Sequence, residues 1–185
     1  MLILVFGVSC VGKTTIMNHL VEKYHWLFIN TYTTRTLRKG EVAKIHVNKT
    51  EFENMKQNNN FLCVNEIFGN SYGTPQAEIK NAISSAQYFI MDFPLARREQ
   101  VFGDFYHISI VLVPENIEQL MQQIKETNRT ERTSEILKDY EFHLSYINNI
   151  KTQYPTFTVT NYKEQISSTS RQIYDLVQGV NLWQC

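Results

Sequence analysis

The apolar residues of this 185-residue chain gather into short runs separated by segments of helical spacing. LILVF at 2–6 has no polar interruption, which suits a central parallel strand covered on both faces. YFIMDF at 88–93 and HISIVLV at 107–113 have the same character, the second closed by Pro114. WLFIN at 26–30 and TFTVTN at 156–161 supply further strands. Between them the period lengthens: TTIMNHLVEKY puts Ile16, Leu20 and Val21 on one helical face, and Pro75 is placed to open a helix reaching about Ala86. Helices are also expected from Glu115 to about Lys125, then, after the polar stretch ETNRTERTSE, on to about Gln153, and over KEQISSTSRQIYDLVQ at 163–178. Strands alternating with helices imply an α/β fold, a parallel sheet with right-handed crossovers.

The stretch from 31 to 74 breaks this rhythm. TYTTRTLRKGE reads as a loop and AKIHV as a short strand. KTEFENMKQNN reads as a short helix capped by Thr50, with Glu53 in the capping-box position. FLCVNEIF is strand-like, and GNSYGTP reads as turns.

Composition narrows the function. Lys plus Arg equals Asp plus Glu at 18 each, which argues against a protein that coats nucleic acid but allows a local basic pocket. Cys10, Cys63 and Cys185 fit neither a disulfide framework nor a metal-binding pair, so a reducing cytoplasm is the expected compartment. The five histidines lack metal-ligand spacing such as HExxH, so they suggest no metal site of their own. The apolar stretch Leu2 to Val8 is too short to cross a bilayer and lacks the flanks of a signal peptide, so no membrane partner is expected.

Directly after the first strand comes GVSCVGKTT, a G-x-x-x-x-G-K-[ST] loop leading into a helix. Gly7 and Gly12 allow backbone N–H groups to curl round a phosphate chain, together with Ser9, Val11 and Thr15, and the helix N-terminus adds partial positive charge. Lys13 would reach the outer phosphates, and the Thr14 hydroxyl would coordinate Mg²⁺. Asp92, closing YFIMD, has the character of a strand-end carboxylate that holds the metal's water shell. Arg35 and Arg38 follow the second strand on the side where a parallel sheet gathers its strand ends, and could clamp an acceptor phosphate or form a solvated basic loop.

GVSCVGKTT, TTRTLRKGE, EFENM, FGNSYGTP and FIMD, in this order, resemble the guanylate kinases over about Leu2 to Asn161. The resemblance implies a P-loop NTPase fold in a single kinase domain, 1–185. Its core would be 1–30 and 75–185, with an acceptor-binding insertion at about 31–74 and a lid at about 126–136. It implies ATP-dependent phosphorylation of a nucleoside monophosphate, GMP by default, with ATP and Mg²⁺. Lys13 and Thr14 would serve the donor and metal, and Arg35, Arg38 and Tyr72 the acceptor phosphate. Thr31 and Thr74 would lie near the acceptor base, and Arg129 or Arg132 would act from the lid.

The chain also departs from the family's pattern. After KGE the family continues with a Tyr-x-Phe strand whose tyrosine meets the acceptor phosphate; here VAKIHV places Lys44 or Ile45 near that position, and an exposed lysine is expected. The strand glutamate that would accept guanine's N–H bonds aligns with Cys63, with Asn65 on the same face and Glu66 turned away. Pro94 stands where a second acid is usual, and Arg97 and Arg98 read as a basic turn. These departures weaken guanine preference and keep two alternatives open, a kinase of a sugar phosphate and a non-catalytic interaction module.

Overall fold

The computed structural model describes residues 1–38, 40–67, 69–149 and 152–182; Lys39 and Cys185 lie outside them. A five-stranded parallel sheet forms the core. Its strands are β1 (Leu2–Phe6), β2 (Leu27–Phe28), β7 (Phe89–Asp92), β8 (Ile108–Pro114) and β9 (Thr156–Asn161), in the order β2-β7-β1-β8-β9. The unbroken apolar run of β1 has a direct physical reason. Ile3 and Val5 enter one buried cluster, while Leu2, Leu4 and Phe6 enter another on the opposite face. A strand buried on both sides has no face left for polar residues.

The first cluster is closed by Ile16 and Leu20 of α1 (Lys13–Tyr24), Leu120 and Ile124 of α5 (Ile117–Glu126), and Ile173 and Val177 of α7 (Ile166–Leu182). Tyr24 stacks on Tyr174 with ring centroids 4.1 Å apart, joining α1 to α7. The second cluster takes Ile79 and Ala82 of α3 (Gln76–Ser84) and Phe102 of α4 (Arg98–Phe102). Pro75 occupies the N-cap of α3, as its fixed φ favours. No helix among the described residues is long and apolar enough to cross a membrane.

A second, four-stranded sheet is built from β3 (Thr31–Thr33), β4 (Lys44–His46), β5 (Phe61–Ile67) and β6 (Asn70–Pro75) in the order β4-β3-β6-β5. GNSYGTP, expected to be turns, is mostly β6: its residues pair antiparallel with β5, from Cys63↔Thr74 to Ile67↔Asn70, and with β3. Strand pairing overrides the turn-forming composition here. TYT at 31–33, expected as loop, is β3 for the same reason. In α2 (Lys49–Gln57) the cap is Asn48, whose Oδ1 accepts from the Glu51 N–H at 2.9 Å; Thr50 lies inside the helix. The polar stretch after α5 becomes a single 3₁₀ turn at Thr130–Arg132, followed by α6 (Thr133–Asn148).

Candidate active site

A cleft of about 680 Å³ opens where the β1–α1 loop, the second sheet, the β7 end and the start of α6 meet. Gly7, with φ 146°, turns the chain out of β1; a Cβ there would lie 2.6 Å from the Leu112 carbonyl oxygen. Gly12 sits at the N-cap of α1 with φ 95° and no side-chain cap, so the first-turn N–H groups carry no capping side chain. Asn161, at the end of β9, buttresses the loop from behind: its Nδ2 donates to the Val11 carbonyl at 2.8 Å. The Val11 side chain is core, so its contribution to the loop is backbone only, whereas Ser9, Cys10, Thr14 and Thr15 line the cleft.

Lys13 curls over the loop, its Nζ donating to the carbonyls of Gly7 at 2.6 Å and Val8 at 3.1 Å. Burial pulls its ammonium below the ordinary lysine range, against the attraction of Asp92 and Asp139. Both carbonyls belong to the same loop, so the ammonium is held in the cradle that the N–H groups form.

The opposite wall is built around Arg35. Its guanidinium forks onto Glu41, with NH2 at 2.7 Å from Oε1 and 2.6 Å from Oε2, and its Nε donates to the Tyr72 hydroxyl at 3.2 Å. Glu41 also accepts from the Arg38 backbone N–H at 3.0 Å, which folds the TRTLRKGE loop back on itself. Burial alone would raise the Glu41 carboxyl, but the Arg35 hydrogen bonds overcome it and hold the group below the usual carboxylate range. The Arg38 guanidinium has no hydrogen-bond partner among the described residues. Partial burial and the Arg129 and Arg35 charges pull it below its ordinary value. Three guanidinium groups brought this close, with Glu41 the carboxylate bonded to Arg35, suit an anion. Thr31 and Thr74 are buried in the same wall, beside Tyr72.

Lys44 corrects the expectation of an exposed lysine. It opens β4, opposite Thr31 in the register, and its Nζ donates to Asp92 Oδ1 at 2.9 Å, with the lysine side chain 13% exposed. Burial would raise the Asp92 carboxyl; the nearby charges of Lys44 and Lys13 outweigh that and hold it low. Asp92 is therefore held as the carboxylate, bonded to Lys44 and within the field of Lys13. Among the described residues no group of three or more His, Cys, Asp or Glu could hold a metal by itself.

At the far end of the cleft, Asn65 forms the wall and Cys63 does not. The Cys63 Sγ packs against Thr74 Oγ1 at 3.5 Å, and burial pushes its thiol up. Asn65 is clamped by Arg97, whose NH1 donates to Asn65 Oδ1 at 2.6 Å and to the Val64 carbonyl at 2.9 Å. A guanidinium only donates, so the amide oxygen faces Arg97. Glu66 is exposed, as strand alternation requires. Arg98, expected in a basic turn, is instead 1% exposed, held between His107, Tyr146 and Glu99.

From the segment between α5 and α6, Arg129 NH1 reaches Cys10 Sγ at 3.4 Å, and Arg132 lines the cleft with its Nε 3.5 Å from Glu135. Glu135, Asp139 and His143 follow at four-residue spacing along α6 and all line the cleft. Sequence reasoning did not single them out, although i, i+4 spacing of polar residues on a helix could have done so. It also missed Asn161, whose role depends on a loop 150 residues away.

The guanylate kinase family model matches residues 1–178. The guanylate kinase of Trichormus variabilis is 33% identical over 129 residues, 67% of this chain and 65% of that protein. That of Clostridium tetani is 29% identical over 128 residues, 67% of this chain and 62% of its own length. The match thus spans just under two thirds of these curated relatives. In fold, the crystal structure of guanylate kinase from Anaplasma phagocytophilum superposes with a TM-score of 0.68 at 21% identity, covering 97% of this chain and 84% of that one. With its glycine loop, its paired arginines and a family match along nearly its whole length, the chain belongs to the guanylate kinase family.

Proposed function

We propose that this protein is an ATP-dependent kinase that transfers the terminal phosphoryl group to a nucleoside monophosphate, with GMP the default acceptor. The observation that carries this reading is the pairing of two anion sites in one cleft. The β1–α1 loop with Lys13 lies on one side, and Arg35, Arg38 and Tyr72 lie on the other. The parallel core, 1–30 and 75–185, would bind the donor. The second sheet, about 31–74, would bind the acceptor, and about 126–136 would form the lid. Free thiols at Cys10 and Cys63 fit a cytoplasmic setting.

The loop N–H groups and Lys13 would hold the ATP phosphates. The Thr14 hydroxyl and the ionised Asp92 carboxylate are hard oxygen donors suited to Mg²⁺ and its waters. Bound Mg²⁺ supplies neutralisation of the donor's phosphate charge. Glu41 holds one Arg35 nitrogen between its two carboxylate oxygens, so the guanidinium and the Tyr72 hydroxyl would present a preorganised site to the acceptor phosphate. An acceptor phosphate oxygen, ionised at neutral pH, forms the new P–O bond as the donor's bridging oxygen leaves with its electron pair. No general base is needed. Arg129, anchored at Cys10, would neutralise charge from the lid side.

The base would be held less selectively than the phosphate. The Asn65 carbonyl is taken up by Arg97, and neither Cys63 nor Pro94 provides a carboxylate for guanine's donors. A coupled assay with ATP, Mg²⁺ and a panel of monophosphates tests the proposal. Turnover of GMP and at least one other nucleotide is expected, and no turnover of any monophosphate would overturn it.

A further inference from the structure

Two demands fall on one carboxylate. The Asp92 Oδ1 accepts from Lys44 at 2.9 Å, yet Asp92 is also the strand-end acid that a Mg²⁺-bound triphosphate would engage. If Asp92 turns to the metal's waters, Lys44 loses its partner in a site where its side chain is only 13% exposed. A half-buried ammonium left without a counter-charge is unfavourable and must find another anion. The direction in which it can do so is set by its neighbours. Its Nζ lies 5.9 Å from the Tyr72 ring centroid, and the Tyr72 hydroxyl is already bonded to Arg35. An acceptor phosphate gripped by Arg35 and Tyr72 would therefore lie within a rotamer change of Lys44.

Lys44 is also the first residue of β4, so it ties the second sheet to the end of β7 in the core. The ion pair thus bridges the two halves of the cleft, and whatever engages one half alters what the other half offers.

We propose that Lys44 is a phosphate-contacting residue whose ion pair with Asp92 couples the two substrates: engagement of Asp92 by the magnesium–triphosphate donor frees the Lys44 ammonium for the acceptor phosphate. The coupling rests on the kinase reading above and adds to it an order of events. Donor binding tightens acceptor binding, and by reciprocity the acceptor tightens the donor.

The experiment is calorimetry of GMP binding to the full chain, with and without Mg²⁺ and a non-hydrolysable ATP analogue, on wild type, Lys44→Met, Lys44→Arg and Asp92→Asn. The analogue is expected to tighten GMP binding about fivefold or more in wild type. It should have no such effect in Lys44→Met and a partial effect in Lys44→Arg. In Asp92→Asn, where Lys44 has no carboxylate to leave, GMP should bind tightly without the analogue. A second readout needs no acceptor. In protein carrying ¹⁵N-labelled lysine, Mg²⁺ and the analogue alone should shift the Lys44 Nζ resonance in wild type. Equal tightening in Lys44→Met, or a Lys44 resonance that ignores the donor, overturns the coupling, and measurable GMP phosphorylation alongside would leave the kinase reading standing. If GMP, AMP, UMP and CMP all fail to bind and to be phosphorylated, both fall.

Discussion

Arg98 is a buried cation that has a buried histidine among its acceptors, beside Tyr146 and Glu99, and this makes the protein's acid stability predictable. Arg98 is 1% exposed and His107 fully buried, with Arg98 Nε 3.2 Å from His107 Nε2. A guanidinium can only donate, so His107 Nε2 must carry a lone pair. Its Nδ1 lies 2.7 Å from the Phe105 carbonyl, which can only accept, so the proton sits there. Both contacts are satisfied only by the neutral ring. Burial first, and the Arg98 charge with it, lowers the His107 pKa from 6.5 to about 4, against the Phe105 hydrogen bond.

The sign follows from proton counting. Between pH 6.5 and about 4 the unfolded chain binds a proton on His107 and the native state does not, so native stability falls as pH falls through that window and levels off below it. At about 1.4 kcal/mol per pH unit the full loss is about 3 kcal/mol. The assay is urea denaturation of wild type and His107→Gln at intervals from pH 7.5 to 4. Gln keeps an acceptor for Arg98 and does not titrate. It should be less stable at pH 7.5, and its deficit should shrink by about 3 kcal/mol toward pH 4. Carboxylates held low, such as Glu41 and Asp92, lose their contribution nearer pH 4 and do so in both proteins, so they cancel in the difference. A pH-independent difference between the two proteins would refute the neutral-histidine account. Because Arg98 also bonds Tyr146 on α6, the same acidification should loosen the helix that carries Asp139 and His143 into the cleft.

Two further tests address the cleft itself. In Glu41→Gln, Arg35 loses its bidentate carboxylate while keeping Tyr72, so the acceptor KM should rise roughly 10- to 100-fold with the donor KM within about twofold. Equal changes in both, from steady-state kinetics, would deny Glu41 a role confined to the acceptor. Gly12→Ala places a Cβ 2.5 Å from Asn161 Nδ2 at φ 95°, a backbone region that costs an L-residue about 1–2 kcal/mol. Binding of the ATP analogue should fall about 100-fold or more by calorimetry. Gly12→Ala/Asn161→Ala should recover part of that loss, and no recovery would mean the contact with Asn161 is not the cause.

What could be read from the chain alone was what neighbouring residues decide. β1 is legible because alternate residues serve two apolar clusters, which forces an uninterrupted apolar run. The phosphate loop is legible because Gly7, Gly12 and Lys13 act on backbone within a few residues of themselves. β6 was not, since Asn70, Ser71 and Gly73 are turn formers made into strand by partners on β5 and β3. Lys44 and Arg98 looked like surface charges for a similar reason. The partner of Lys44 lies 48 residues away, and Arg98 is held by His107 and Tyr146, 9 and 48 residues on. Even the α2 cap turned on a local competition that composition does not resolve: Asn48 and Thr50 are both capping residues, and Asn48 takes the Glu51 N–H.

The balanced composition conceals the same kind of long-range effect in charge. Acids and bases number 18 each, so the molecule has no formal net charge, and the cleft too holds both signs: Lys13, Arg35, Arg38, Lys44, Arg129 and Arg132 line it with Glu41, Asp92, Glu126, Glu135 and Asp139. Glu41 is spent on Arg35 and Asp92 on Lys44, one carboxylate to one cation. Lys13 bonds only loop carbonyls, Arg129 reaches a thiol, and Arg38 has no hydrogen-bond partner among the described residues. Glu41 and Asp92 thus set where two of the site's cations point. A cleft in which acids aim the cations suits the two polyanions of the proposed transfer. Salt should consequently weaken substrate binding far more than it weakens the fold, whose two cores are apolar.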